Sequence, residues 1–194
     1  MPPLPLDSAE ASTSVPTRRW ARGAIVLAAL GATLGTLLDH IHTRSGVTAY
    51  TRPVFAATAW WVPVLFAGAF TGGLLRPLFD RRGPAPDRRT VVLSMTLFAV
   101  AYGCSVLPFS WPVVSALLVA VFAVAFYTCD RTPIGLAIAA GSAIGGPLFE
   151  MVLVDGGTFL HTQPAYLGVS GWLPFLYLTA AVALQTTAKH LVDA

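Results

Sequence analysis

Charge is what this chain has least of. Only 11% of its 194 residues are Asp, Glu, Lys or Arg, about half the share in an ordinary soluble domain. Lysine occurs once, at Lys189, against eleven arginines. Cysteine occurs twice. Cys104 and Cys129 fall near opposite ends of successive apolar runs, so they are expected on opposite faces and too far apart to bridge. The strict apolar/polar alternation of a membrane barrel is missing. So are an HExxH zinc framework, a nucleophile elbow and a basic patch interleaved with aromatics. These gaps argue against a metalloprotease, an α/β-hydrolase and a nucleic-acid binder. No internal or inverted repeat stands out.

What is present is apolar. Ala, Val, Ile, Leu, Met, Phe, Trp, Tyr and Cys make up 55% of the chain, and the mean hydropathy is +0.69. They cluster in six runs: Trp20 to Leu38, Val54 to Leu75, Thr90 to Leu107, Pro112 to Thr128, Ile134 to Val154 and Trp172 to Ala188. Runs of roughly 17 to 22 residues, rising about 1.5 Å per residue, can cross a hydrocarbon layer of about 30 Å. Lipid offers exposed backbone groups no partner, so such runs fold as helices. The expected fold is all-α and integral to a membrane: a bundle of six transmembrane helices over residues 18–194, preceded by a disordered, proline-rich tail over residues 1–17.

Basic residues are unevenly placed. Arg18, Arg19, Arg22, Arg76, Arg81, Arg82, Arg88, Arg89, Arg131 and Lys189 fall on one side of the spans; only Arg44 and Arg52 fall on the other. The positive-inside rule then puts both termini in the cytoplasm. Arg18-Arg19 before an apolar run is read as a flank anchoring the first helix. The loop Pro108-Phe109-Ser110-Trp111 is so short that the third and fourth helices must be antiparallel neighbours. Glycines four apart at Gly31/Gly35, Gly68/Gly72 and Gly141/Gly145 each clear one helix face for close backbone approach, within the subunit or in a homo-oligomer.

Few residues in the spans carry chemistry. Trp60-Trp61-Val62-Pro63 is expected well inside the second helix, where Pro63 should bend it. The tryptophans there would either pack against neighbouring helices or wall a lipid cavity. Gly145-Gly146-Pro147 is expected to interrupt the fifth helix. Glu150 follows one turn later, and intramembrane carboxylates are costly and usually functional. The candidate lipid-binding residues are therefore Trp60, Trp61, Pro63, Gly146, Pro147 and Glu150. Asp39, His40, His42, Asp155 and His161 are expected to form a polar collar at the outer surface. They lack a fixed ligand spacing, so no metal or other cofactor is expected, and neither is a catalytic residue. Asp130-Arg131 closes the fourth helix as a charged turn.

Several of these segments resemble the Insig (insulin-induced gene) family. Ala59-Trp60-Trp61-Val62-Pro63 resembles that family's Ala-Trp-Trp-Val-Pro, and Leu74-Leu75-Arg76-Pro77-Leu78-Phe79-Asp80 its Leu-Leu-Tyr-Pro-x-x-Asp. Asp130-Arg131 with Gly135-Leu136 is similar to its turn after the fourth helix. Thr162-Gln163-Pro164 and Trp172-Leu173-Pro174 are similar to its Thr-Ser-Pro and Trp-Leu-Pro. Order and spacing hold over roughly residues 54 to 191. Two departures are Cys129, where the family has phenylalanine, and Thr132-Pro133, where it has serines. The resemblance implies a six-helix, non-enzymatic membrane protein that binds an oxysterol within its membrane domain and engages a membrane partner such as the sterol sensor Scap. It maps partner binding onto Asp130 and Arg131, and the sterol-responsive region onto Trp60 and Trp61. In that family the membrane is the endoplasmic reticulum. The arginine-, alanine- and glycine-rich composition points to a GC-rich bacterial genome and so to an inner membrane without Scap, where a two-chain lipid such as diacylglycerol suits an apolar cavity as well as a sterol. The alternative is a small proton-coupled transporter using Glu150.

Overall fold

The computed structural model describes residues 17–54, 57–81 and 83–194. The expected tail lies outside the described residues except for Thr17, which already opens a helix. Six helical rods follow one another: α1 (Thr17–Arg44), α2 (Val62–Phe79), α3 (Arg88–Ser105), α4 (Trp111–Cys129), α5 (Pro133–Asp155) and α6 (Leu173–Asp193). Of these α1, α2, α4 and α5 are long and apolar enough to cross a membrane on their own. Their starts carry the expected chemistry. Asp87 caps α3 by accepting the Thr90 N–H at 2.8 Å, and Thr132 caps α5 by accepting that of Gly135 at 3.0 Å. Pro112, Pro133 and Pro174 sit in first turns, where their missing N–H has no partner to lose.

Helix α6 is the axle of the bundle, packed by all five of the others. Every residue from Ala181 to Lys189 is buried. Small Ala and Thr side chains let the surrounding helices close on it, and its moderate hydropathy follows from facing protein rather than lipid. Gly73, in a short 3-10 turn of α2, lies where a Cβ would come within 2.5 Å of the Leu184 carbonyl oxygen.

Helix α1 passes through one turn of π-helix at Gly31–Gly35. There the Phe66 backbone of α2 presses against Gly31, and a Cβ at Gly35 would lie 2.8 Å from the Phe66 ring. This glycine pair is thus spent on contact within the subunit. Gly68/Gly72 and Gly141/Gly145 differ, since a Cβ at any of the four meets nothing within 4 Å.

Two expectations about helix shape are corrected. Helix α2 begins at Val62, so Trp60 precedes it and Trp61 is its N-cap. Pro63 therefore starts the helix rather than bending its middle. Ala57, at φ 74°, takes the chain out of helical geometry just before. Helix α5 runs through Gly145-Gly146-Pro147 unbroken to Asp155. The neighbouring glycines leave room beside the proline ring, and no water competes for the carbonyl it frees. An unforeseen element joins the first and fifth loops: strands β1 (Thr48–Tyr50) and β2 (Phe159–His161) pair antiparallel, with Thr48 opposite His161 and Tyr50 opposite Phe159.

The ends of the bundle differ. A Cβ at Gly23 in α1 would touch Val192 in α6, so the start of α1 and the end of α6 share one end. The described basic residues other than Arg44 and Arg52 gather there. The β1–β2 pair covers the opposite end.

Candidate functional site

A cavity of about 770 Å³ runs between α2, α5 and α6 toward the end covered by the strands. Its long wall is apolar, formed by Phe66, Phe70, Phe98, Leu173, Leu176 and Leu184 among others. It opens sideways. Val64 is 68% exposed and yet lines it, as do the exposed Gly68 of α2 and Gly141 and Gly145 of α5. The open glycine faces are the two jambs of this opening, facing the bilayer rather than water.

Its inner end is polar, and each element contributes a piece. The last turns of α1 bring Asp39 and His42, 8% and 5% exposed. The strands bring Thr48, Tyr50 and His161; α3 brings Tyr102, α5 Glu150 and α6 Tyr177. Tyr50 Oη donates to Asp39 Oδ2 at 2.9 Å, and Tyr177 Oη donates to Glu150 Oε1 at 2.7 Å. His161 Nε2 lies 2.9 Å from Glu150 Oε2 and its Nδ1 3.1 Å from Ser170 Oγ. His42 Nε2 lies 2.7 Å from Ser105 Oγ. That hydroxyl already donates its proton to the Tyr102 carbonyl, 2.7 Å away, so the His42 nitrogen is the donor. Burial and the neighbouring Asp39 carboxylate push the Tyr50 phenol far up, which keeps it a neutral donor. Thr48 Oγ1 is buried without a protein partner.

Among the described residues no Lys or Arg lines the cavity. Two carboxyl groups and no Lys or Arg give a phosphate no permanent cation to bind, and they offer acceptors to a donor. No three His, Cys, Asp or Glu side chains among the described residues converge on a common point.

The other end is closed by ions. Arg76, only 5% exposed, donates from Nη1 to Asp130 Oδ2 at 2.7 Å and from Nη2 to Asp80 Oδ2 at 3.0 Å. Lys189 Nζ donates to Asp193 Oδ2 at 2.9 Å and to the Asp80 carbonyl at 2.7 Å. His190 Nδ1 donates to the Pro86 carbonyl at 2.7 Å. Burial opposes the charge on Asp80, but the hydrogen bonds from Arg76 and the charges of Lys189 and Arg76 prevail and hold its carboxyl below the usual range.

No family model matches the chain. Among curated proteins it is similar to Insulin-induced gene 1 protein of Xenopus tropicalis, 26% identical over 181 residues that cover 88% of this chain and 72% of that protein. It is similar to Insulin-induced gene 2 protein of Gallus gallus at 26% over 178 residues, covering 86% and 79%. Among solved structures it matches MvINS, a mycobacterial Insig homolog from Mycobacterium vanbaalenii, with a TM-score of 0.79, 26% identity and coverage of 88% of this chain and 94% of that one. Sequence and fold together liken the chain to the Insig family over most of its length. A second crystal structure, of a cross-linked MvINS trimer, matches with the same TM-score at 25% identity. With four helices long and apolar enough to cross a membrane, this is an integral membrane protein.

The residues singled out from the sequence scatter. Trp61, Gly146 and Glu150 line the cavity. Gly146 is crowded by the Tyr177 ring, which leaves no room for a side chain there. Pro63 and the buried Pro147 lie outside the wall, and Trp60, 67% exposed, faces outward. Asp130 turns its carboxylate inward, with only 2% of its side chain exposed, while Arg131 is exposed at φ 63° with its guanidinium on the Tyr127 carbonyl. Asp39, His42 and His161 are buried at the cavity's polar end, not in a surface collar. They come from two elements, α1 and β2, separated by more than a hundred residues. Counting spans puts all three on one side of the membrane, but nothing in the sequence brings them together inside the bundle.

Proposed function

We propose that this Insig-like protein holds one membrane lipid in its cavity and that the bound lipid governs which helix faces it offers to a partner or to another copy of itself. The observation that carries the reading is the pairing of a sideways opening with an interior that is apolar along its length and carboxylate-rich at its end. About 770 Å³ lies in the range of pockets that enclose most of a drug-sized ligand. Access between α2 and α5 lets a lipid enter without leaving the bilayer. The polar end favours a neutral head that donates hydrogen bonds, such as the hydroxyl of a sterol or of diacylglycerol. Asp39 and Glu150 would accept, while the unpartnered Thr48 hydroxyl would meet an ester or hydroxyl oxygen. Trp61, Gly146 and Glu150 are the assigned lipid contacts, and Trp60 belongs to the outer surface beside the opening. Arg131, exposed beside the buried Asp130, is the group that a partner meets first.

A homo-oligomer fits the exposed apolar surfaces of α2 and α5, and the mycobacterial relative has been crystallised as a cross-linked trimer. Lipids retained through purification in a mild detergent and identified by mass spectrometry test the proposal. One neutral lipid near one equivalent per chain supports it. A mixture mirroring the bulk membrane, or a phospholipid at one equivalent, counts against it.

A further inference from the structure

The polar end of the cavity is also one wall of a second compartment. A recess of about 530 Å³ lies beyond it, lined by Gly46, Thr162, Gln163, Ser105, Ser170 and Trp172 among others. Thr162 and Gln163 are exposed, so this recess opens at the end of the bundle; Ser105 and Ser170, each 2% exposed, form its floor. His42 and His161 are the partition. Both line the lipid cavity on one side, and each is hydrogen-bonded to a serine of the recess on the other. The Trp172 ring packs edge-on against both, with centroids at 5.5 and 6.4 Å.

The two histidines are not equivalent. His42 is locked, because Ser105 has committed its proton to the Tyr102 carbonyl. His161 is not. Ser170 Oγ sits 3.1 Å from His161 Nδ1 and 3.4 Å from the Gln163 carbonyl oxygen. With neutral His161 the hydroxyl donates to Nδ1. With protonated His161 it turns to the Gln163 carbonyl and accepts from Nδ1–H. Both states are satisfied without moving a heavy atom, and in both Nε2–H stays on Glu150 at 2.9 Å.

The geometry points to lipid binding that is coupled to uptake of a proton, delivered from the outer recess through Ser170 to the His161–Glu150 pair. This rests on the lipid reading above and adds the sign of its regulation. A lipid filling the cavity removes water from the Glu150 carboxylate, which disfavours its charge. A proton on His161 balances that charge, so the loaded pair accepts the lipid at lower cost. The groups facing Glu150 from the surrounding elements are Asp39 and His42 on α1, Tyr50 on β1, Tyr102 on α3, His161 on β2 and Tyr177 on α6.

The test is equilibrium binding of a fluorescent diacylglycerol and a fluorescent sterol to the full chain in detergent, at pH 7.5 and 5.5, with thermal unfolding as a check that each variant is folded. Binding of the wild type should tighten at least about threefold at the lower pH; one proton per lipid caps the change at about a hundredfold over two pH units. Glu150→Gln should bind equally at both pH values, without the tightening that the wild type shows on acidification. His161→Gln should stay at the weaker level at both values. Loss of the pH dependence in two folded variants is not what a purely structural role gives, since that would weaken binding at both pH values alike. Wild-type binding that is tight but independent of pH, or that weakens on acidification, overturns the coupling and leaves the lipid reading standing. Absence of binding at both pH values overturns both.

Discussion

Arg76 and Asp130 stand 54 positions apart and meet at 2.7 Å with both side chains almost fully buried. Removing one member of such a pair leaves the other charged and unpaired, at a cost of several kcal/mol. Asp130→Ala is therefore expected to destabilise the bundle by about 3 kcal/mol, read from thermal unfolding in detergent, with Asp80 limiting the loss by keeping its own bond to Arg76. Arg131→Ala should leave unfolding unchanged, because its side chain is outside. Asp80 adds a pH dependence. Its folded carboxyl titrates below its unfolded one, so its contribution is complete above about pH 5 and is lost as the pH falls below about 4. The stability gap between the wild type and Asp80→Asn should shrink over that interval, and a gap constant from pH 6 to 3 contradicts the assignment. At this scale the sequence is a partial guide. Glu150 stands out as an acid inside an apolar run, and the cavity indeed contains it. Arg76 reads as a loop residue because, although Asp80 follows four residues later, nothing nearby along the chain predicts its second carboxylate at Asp130.

At the scale of elements, apolar runs locate the helices but not all of their ends. The stretch before Val62 is apolar because Ala59 is buried and Trp61 walls the cavity, not because it is helical. Burial in protein gives non-helical backbone the shelter that lipid denies it. The three glycine pairs look alike in sequence, yet a contact with another element separates them. Gly31→Ala should destabilise by about 1–3 kcal/mol through its collision with the Phe66 backbone. Gly68→Ala and Gly141→Ala should be neutral within about 0.5 kcal/mol. Equal effects at all three sites, measured by thermal unfolding, would place α2 and α5 closer together than described and close the opening between them.

For the molecule as a whole, the helical, membrane-embedded class was readable because long apolar runs report the solvent around them. The cavity was not, since it is a property of how six rods splay around α6. Thiol labelling of intact cells tests the orientation. A single cysteine placed at Ala194 should be protected from a membrane-impermeant reagent and one at Thr162 should react; the reverse pattern inverts the bundle. The most direct measurement of the central claim compares lipid stoichiometry by native mass spectrometry for the wild type and for Gly141→Trp, which fills the opening from a position with no neighbour within 4 Å. The account predicts close to one neutral lipid per wild-type chain and a several-fold lower occupancy in a folded variant. Equal occupancy in the two proteins would contradict entry and residence through the gap between α2 and α5.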